Sequence, residues 1–239
     1  MSFRIKNHFE VKSLKGFGVQ EVKNGIIAAG AVLYYLSETQ HNQLKHIQSI
    51  SRIAEDNYVW MDRFTVRNLE LYHSTAMNAI TLLNIIDKTI SPMGGRLLKR
   101  WLALPLKDAD RIKQRHEVVQ YLLDNESILQ KIQGQIKHIG DIERLISKIA
   151  TAKANPREVI QLKNSLEAIV PVKSIAASCE NEALKILGNN LHNCDLLREK
   201  IKQTLNEEAP VNVLKGNTIA KGFSEELDEL RGLSKSGKD

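Results

Sequence analysis

The sequence is poor in aromatic residues, which make up 5% of its 239 positions, and it has only two cysteines. Chains built of many short strands and tight turns carry more aromatics, and more than the 13 glycines found here, so the balance points to helix. Cys179 and Cys194 belong to no CxxC pair, and neither a disulfide scaffold nor a zinc module is indicated; His192 beside Cys194 is read as incidental. No apolar run approaches the roughly 20 residues needed to cross a bilayer. The N-terminal MSFRIKNHFEVK also lacks the apolar stretch of a signal peptide, so a cytoplasmic protein that meets no membrane is expected.

What is present is an ordinary share of apolar residues, 42%, and an uneven charge. The formal net charge is +6, concentrated in two windows: residues 1–24 carry five Lys/Arg against two Asp/Glu, and residues 87–116 carry eight against three. A polyanionic partner is compatible with this pattern, as is a solvated cationic surface.

Helical periodicity dominates the chain. Residues 25–40, GIIAAGAVLYYLSETQ, are apolar on nearly all sides, which predicts a helix packed on several faces. The preceding FEVKSLKGFGVQ alternates and then turns at Gly16 and Gly18, suggesting a short strand. Residues 48–62 give a strand-turn-strand signal around Glu55-Asp56-Asn57, and residues 211–221 a second β element around Lys215-Gly216-Asn217. Between them lie apolar stripes at helical spacing: Ile112, Val119 and Leu122; Ile128, Ile132, Ile136 and Ile139; Ile142, Leu145, Ile146 and Ile149; Val159, Ile160, Leu162, Leu166 and Ile169; Leu197, Ile201 and Leu205. The expected fold is mainly α, a helical bundle with two small β elements. Phe223, Leu227 and Leu230 begin a further charged helix that stops within a few residues, which predicts a longer parent protein.

The stretch DKTISPMGGRLLKRWLALPL, residues 87–106, is the densest local signal. Ser91 is an N-cap, Pro92 occupies the first helical position, and Pro105 stops the helix. Leu97, Leu98, Trp101, Leu102 and Leu104 share one face, which is expected to be buried; Arg96, Lys99 and Arg100 share the other. Gly94 and Gly95 are expected to permit a tight crossing with a neighbouring element.

Signals for chemistry fail on inspection. GLSKSGKD at 232–239 lacks the final Ser/Thr of a phosphate loop, which needs a hydroxyl for Mg²⁺, and puts Asp239 there instead. Glu21 occupies the third glycine position of a dinucleotide fingerprint. His41 and His46, five apart, fall on different helical faces. The carboxylates Glu225, Glu226, Asp228 and Glu229 read as a solvated helix face. No catalytic, metal or nucleotide site is expected, and hence no enzyme.

Taken in order, SLKGFGVQEVKNGIIAAGAVLYYLSETQ, HIQSISRIAEDNYVWMDRFTVRNLEL, LLNIIDKTISPMGGRLLKRWLALPL, DIERLISKIATAKANPRE and NTIAKGFSEELDELRGLSKSGKD resemble the MutS family of DNA mismatch repair proteins. The likeness covers essentially the whole chain and is densest at Asp87, Thr89, Pro92, Met93, Gly94, Arg96, Leu97, Leu98, Trp101, Leu102 and Pro105. It implies that residues 1–40 end a connector domain, 41–222 form an α-helical core or lever domain, and 223–239 start the helix leading to a DNA clamp. It also implies a non-catalytic segment coupling an ATPase domain to that clamp, within a homodimeric protein that binds mismatched double-stranded DNA. ATP and Mg belong to the full-length family, whose mismatch-reading and ATPase domains fall outside this chain; no cofactor is expected here. Arg96, Lys99 and Arg100 are candidates for weak contacts with DNA phosphates, against the alternative of solvation or pairing with acidic residues. Set against the coupling role are a free-standing basic nucleic-acid-binding module and a helical protein scaffold.

Overall fold

A computed structural model describes residues 2–39, 44, 47–52, 57–74, 76 and 79–236. Within them the chain is mainly helical, with twelve α-helices and almost no strand. Glu55, Asp56, His41, His46 and the Gly237–Asp239 end of the glycine-lysine run lie outside the described residues.

Helices α1 (Ser2–His8) and α2 (Lys23–Thr39) pack together over a small core of Ile5, Leu14, Val19 and Ile26. The strand expected between them is absent: residues 15–17 form a 3₁₀ turn closed by Gly18 in the left-handed region at φ 67°. Only glycine adopts that φ without steric cost, and the turn spends the backbone donors a strand would have used. Contrary to expectation, α2 buries only Ile26 and Gly30, leaving Ile27, Val32 and Tyr35 exposed.

After two short helices, α3 (Arg63–Asn68) and α4 (Leu82–Ile86), come α5 (Pro92–Ala103), α6 (Ala109–Asp124), α7 (Glu126–Ile136) and α8 (Ile142–Ala150). The centre of the bundle is α9 (Pro156–Ser178), against which α7, α8, α10 (Glu182–Asn189) and α11 (Asp195–Thr204) all pack. Asn155 and Glu158 start α9 as a reciprocal capping box, each side chain accepting the other's backbone N–H at 3.0 Å. Glu158 also pairs with Lys148 of α8, tying the two helices at their junction.

The interior of α9 is mostly apolar, with Lys163 and Ser165 also buried. Leu162 and Leu166 meet Leu145 of α8, with Ile142 and Ile169 at the margin; Ala176 meets Leu184 of α10 and Val118, Tyr121 and Leu122 of α6 around buried Cys179. The helix runs through Pro171, which lacks an N–H, so the Glu167 carbonyl has no helical donor. Not every stripe points inward: Val119, Ile146 and Leu197 are exposed, and Val118 rather than Val119 packs on α10.

The two β elements reduce to single bridges, Tyr58 with Leu106 and Leu205 with Ile219. Tyr58 therefore pairs with a segment nearly fifty residues on, not across a local hairpin. Residues 213–215 are 3₁₀, followed by Gly216 at φ 73° and Asn217 at φ 55°. The last helix, α12 (Glu225–Ser236), is pinned at its root by Asp228, which accepts from Gly222 N at 2.6 Å and pairs with Arg231; Arg231 in turn donates to the Ile219 carbonyl at 3.0 Å.

Candidate functional site

The motif-bearing helix α5 is built from its entry turn outward. The Asp87 carboxylate accepts from Thr89 N at 3.0 Å and from Thr89 Oγ1 at 2.6 Å, and those bonds hold its pKa below the usual aspartate value. Ser91 Oγ then accepts from Gly94 N at 3.1 Å, with Pro92 at the helix start.

The role of the paired glycines differs from the expectation. A Cβ at Gly94 would stand 3.1 Å from Ser91 Oγ, and one at Gly95 would stand 3.2 Å from Thr89 Oγ1. The close neighbour is thus the chain's own Asp87–Ser91 turn, folded back on the helix start, and not another helix.

The expected burial of the leucine face is also corrected. Leu97 is 47% exposed and Trp101 41%, and α5 contains no fully buried residue. Met93, Leu98, Leu102 and Leu104 are half-buried. The physical reason is that α5 has no extended packing partner among the described residues, so its apolar stripe is covered only in part.

Polar and cationic contacts position the helix instead. Arg96 Nη1 and Nη2 donate to the two carboxylate oxygens of Asp141 at 2.8 Å each, a bidentate fork, and its Nε donates to Glu143 at 3.1 Å. Asp141 is at the same time the N-cap of α8, accepting from Arg144 N. Hydrogen bonding to Arg96 holds the Asp141 carboxyl at about 2, while the two carboxylates push the Arg96 guanidinium further up. Tyr72 Oη donates to the Lys99 carbonyl at 2.7 Å, and the Lys99 ammonium lies 5.3 Å from the Tyr72 ring. Partial burial raises the Tyr72 phenol's pKa. Arg115 of α6 stacks on Trp101 at 3.7 Å. At the helix exit, the Pro105 carbonyl accepts from Val59 N at 2.7 Å beside the Tyr58–Leu106 bridge.

The cationic face is therefore not uniform. Arg96 is committed to two carboxylates, and a phosphate would have to displace both. Lys99 and Arg100 make no ion pair with an acidic side chain among the described residues.

Several structural residues had no place in the motif reading. Gly188 sits where α10 crosses α9, and a Cβ there would lie 2.6 Å from Ala177 N and 2.8 Å from Ala176 Cβ. Ser165, fully buried, accepts from Gly140 N at 3.0 Å and donates to the Gln161 carbonyl at 2.8 Å. The Lys163 side chain is 6% exposed and reaches Glu167 at 3.7 Å and Glu207 at 3.3 Å. Lys163 was detectable in principle, because it stands three residues from both Ile160 and Leu166 on the buried face. Gly188, in KILGNN, reads as an ordinary helix end and gives no such signal.

Among the described residues no group of three or more His, Cys, Asp or Glu side chains could hold a metal ion, and no helix is long and apolar enough to cross a membrane. What fold and site define together is a helical packing domain in which Arg96 of the motif pairs with Asp141 and Glu143 of the α8 start. Comparison with known proteins gives the family. A family model of MutS domain III matches residues 64–235, and one of MutS domain II matches residues 2–48. DNA mismatch repair protein MutS from Christiangramia forsetii is 68% identical over 98% of this chain, that from Flavobacterium psychrophilum 66% over 98%, and that from Bacteroides thetaiotaomicron 50% over 99%. The chain belongs to the MutS family, with residues that match the family's domains II and III. It spans about 27% of the length of these relatives.

Proposed function

We propose that this chain is the core, or lever, of a mismatch-repair protein and carries conformational strain between an ATPase domain and a DNA clamp supplied by the rest of a homodimeric MutS protein. Residues 1–40 act as the end of the connector, 41–222 as the lever and 223–239 as the root of the clamp helix. The observation that carries this reading is α9, a 23-residue helix packed by four others and joined to α8 at its start. Stiff, mutually packed rods with defined joints can switch between discrete arrangements, whereas a soft core dissipates a small displacement. The chain itself performs no chemistry; ATP and Mg²⁺ act in the ATPase domain, and mismatched double-stranded DNA is the ligand of the whole, cytoplasmic protein.

The test is to place Leu166→Ala in the longer protein. ATP-stimulated release of mismatched DNA should slow while ATP hydrolysis without DNA is retained; unchanged release would refute the coupling role. A second reading is favoured by Lys99 and Arg100, which have no acidic partner among the described residues: they touch DNA phosphates directly. In that case Lys99→Glu should weaken DNA binding and lower its salt dependence.

A further inference from the structure

The segment from Asn57 to Lys107 is an excursion closed at its base. Lys107 N donates to the Asn57 carbonyl at 3.2 Å and Val59 N to the Pro105 carbonyl at 2.7 Å, so the two ends are stitched together across the Tyr58–Leu106 bridge. Inside it, Leu82 N and Leu83 N donate to the Glu70 and Leu71 carbonyls at 3.2 and 3.1 Å, and Tyr72 reaches the α5 backbone. The segment has its own hydrogen bonding. Its one buried hydrophobic among the described residues is Leu71, and none of those residues belongs to the core clusters around Ile5, Leu162 or Ala176. No helix within it makes an extended seam with the α6–α11 bundle among the described residues.

Among the described residues, two side-chain contacts from it to the bundle are electrostatic. At the start of α5, Arg96 forks onto Asp141 and Glu143 at the first turn of α8; at the other end, Arg115 covers Trp101. Apolar seams hold at any ionic strength, but contacts of this kind are screened within about 3 Å at 1 M salt, against about 10 Å at 0.1 M. Elements with few buried apolar contacts also open well before the whole protein unfolds.

We propose that residues 57–107 are a separately opening unit, hinged at the Asn57–Lys107 base and latched to the bundle by Arg96 on the Asp141/Glu143 pair. Opening swings α5 away from α8 and leaves α9 and its partners intact. The latch sits on Asp141, whose cap bond to Arg144 N does not involve Arg96, so α8 keeps its start when Arg96 leaves. This goes beyond the coupling reading and does not depend on it, because it concerns local stability alone.

Native-state hydrogen exchange followed by mass spectrometry tests it on the 239-residue chain. Amides of α5 should exchange about 100-fold faster than those of residues 160–168 in α9. Arg96→Met should accelerate α5 by roughly a further fivefold and leave α9 unmoved. Raising salt from about 0.05 to 1 M should accelerate α5 in the wild type and not in Arg96→Met. Glu143→Gln, which spares the α8 cap, should accelerate α5 about twofold and serves if Arg96→Met does not fold. A common rate for α5 and α9 in the wild type overturns the proposal. So does an equal acceleration of both helices in either variant, or no acceleration of α5 in Glu143→Gln.

Discussion

Two glycines inside helices make the sharpest test of the packing, because the same substitution should act with opposite sign. At Gly188 a Cβ would stand 2.6 Å from Ala177 N, 2.8 Å from Ala176 Cβ and 2.9 Å from Ala176 C. Two of those atoms are backbone, which cannot rotate aside, so Gly188→Ala must push α10 away from α9. Overpacking of this kind costs about 1–3 kcal/mol, and the helix-propensity gain of at most about 1 kcal/mol is reduced because Gly188 is next to last in α10. The expected net loss is about 1–2 kcal/mol, a fall in Tm of roughly 3–6 °C for a chain of this size. Gly134, inside α7, has no neighbouring atom within 4 Å of the place a Cβ would take, so Gly134→Ala should instead gain about 0.5–1 kcal/mol and raise Tm by roughly 1–4 °C. Circular dichroism melts and urea titrations of the two variants beside the wild type give the answer. Equal or like-signed shifts would show that α10 does not approach α9 as described.

Leu166→Ala removes a buried contact between α9 and α8 and should cost about 3 kcal/mol in urea titration, with the m-value unchanged. Lys163→Met should leave stability within about 1 kcal/mol, because Glu167 and Glu207 are partly exposed and are not orphaned by its loss. By contrast, Glu167→Gln combined with Glu207→Gln strands the buried ammonium and should cost about 2 kcal/mol, read in the same titration. The Asp141 carboxyl is depressed from 3.8 to about 2, so its contribution is complete above about pH 4 and is lost as the pH falls through 2. Asp141→Asn retains a competent cap and abolishes the charge pair; its stability between about pH 4 and 2 should fall less steeply than the wild type's.

The helices were legible because their signals are local. Asn155 and Pro156, or Ser91 and Pro92, announce a helix start through the needs of the first backbone amides alone. The α9 stripe of Ile160, Leu162 and Leu166 was likewise readable, since its apolar spacing is a local pattern, whereas the burial of Lys163 and Ser165 beside it was not. Faces that depend on which neighbour arrives were not: Leu97 and Trp101 have the spacing of core residues and remain largely exposed. The β signals failed for a related reason. Residues 9–18 alternate, but Gly18 takes a left-handed turn before a ladder can form, and Tyr58 finds its partner at Leu106, a separation that no short window contains. The candidate site was legible as a set of residues, Asp87 to Pro105, but not as an arrangement. Periodicity put Arg96 on a cationic face, and only the fold brings it to Asp141 and Glu143. Gly188 left no local trace, because closeness between α9 and α10 is a property of the pair.

The measurement that bears most directly on the account is the dissociation rate of mismatched DNA from the longer protein, with and without ATP, for wild type and Leu166→Ala. A rigid relay centred on α9 predicts that the ATP-induced acceleration shrinks several-fold in the variant, while the rate without ATP and the ATP hydrolysis rate stay near wild type. An undiminished acceleration in a variant shown to be destabilised in solution would contradict it.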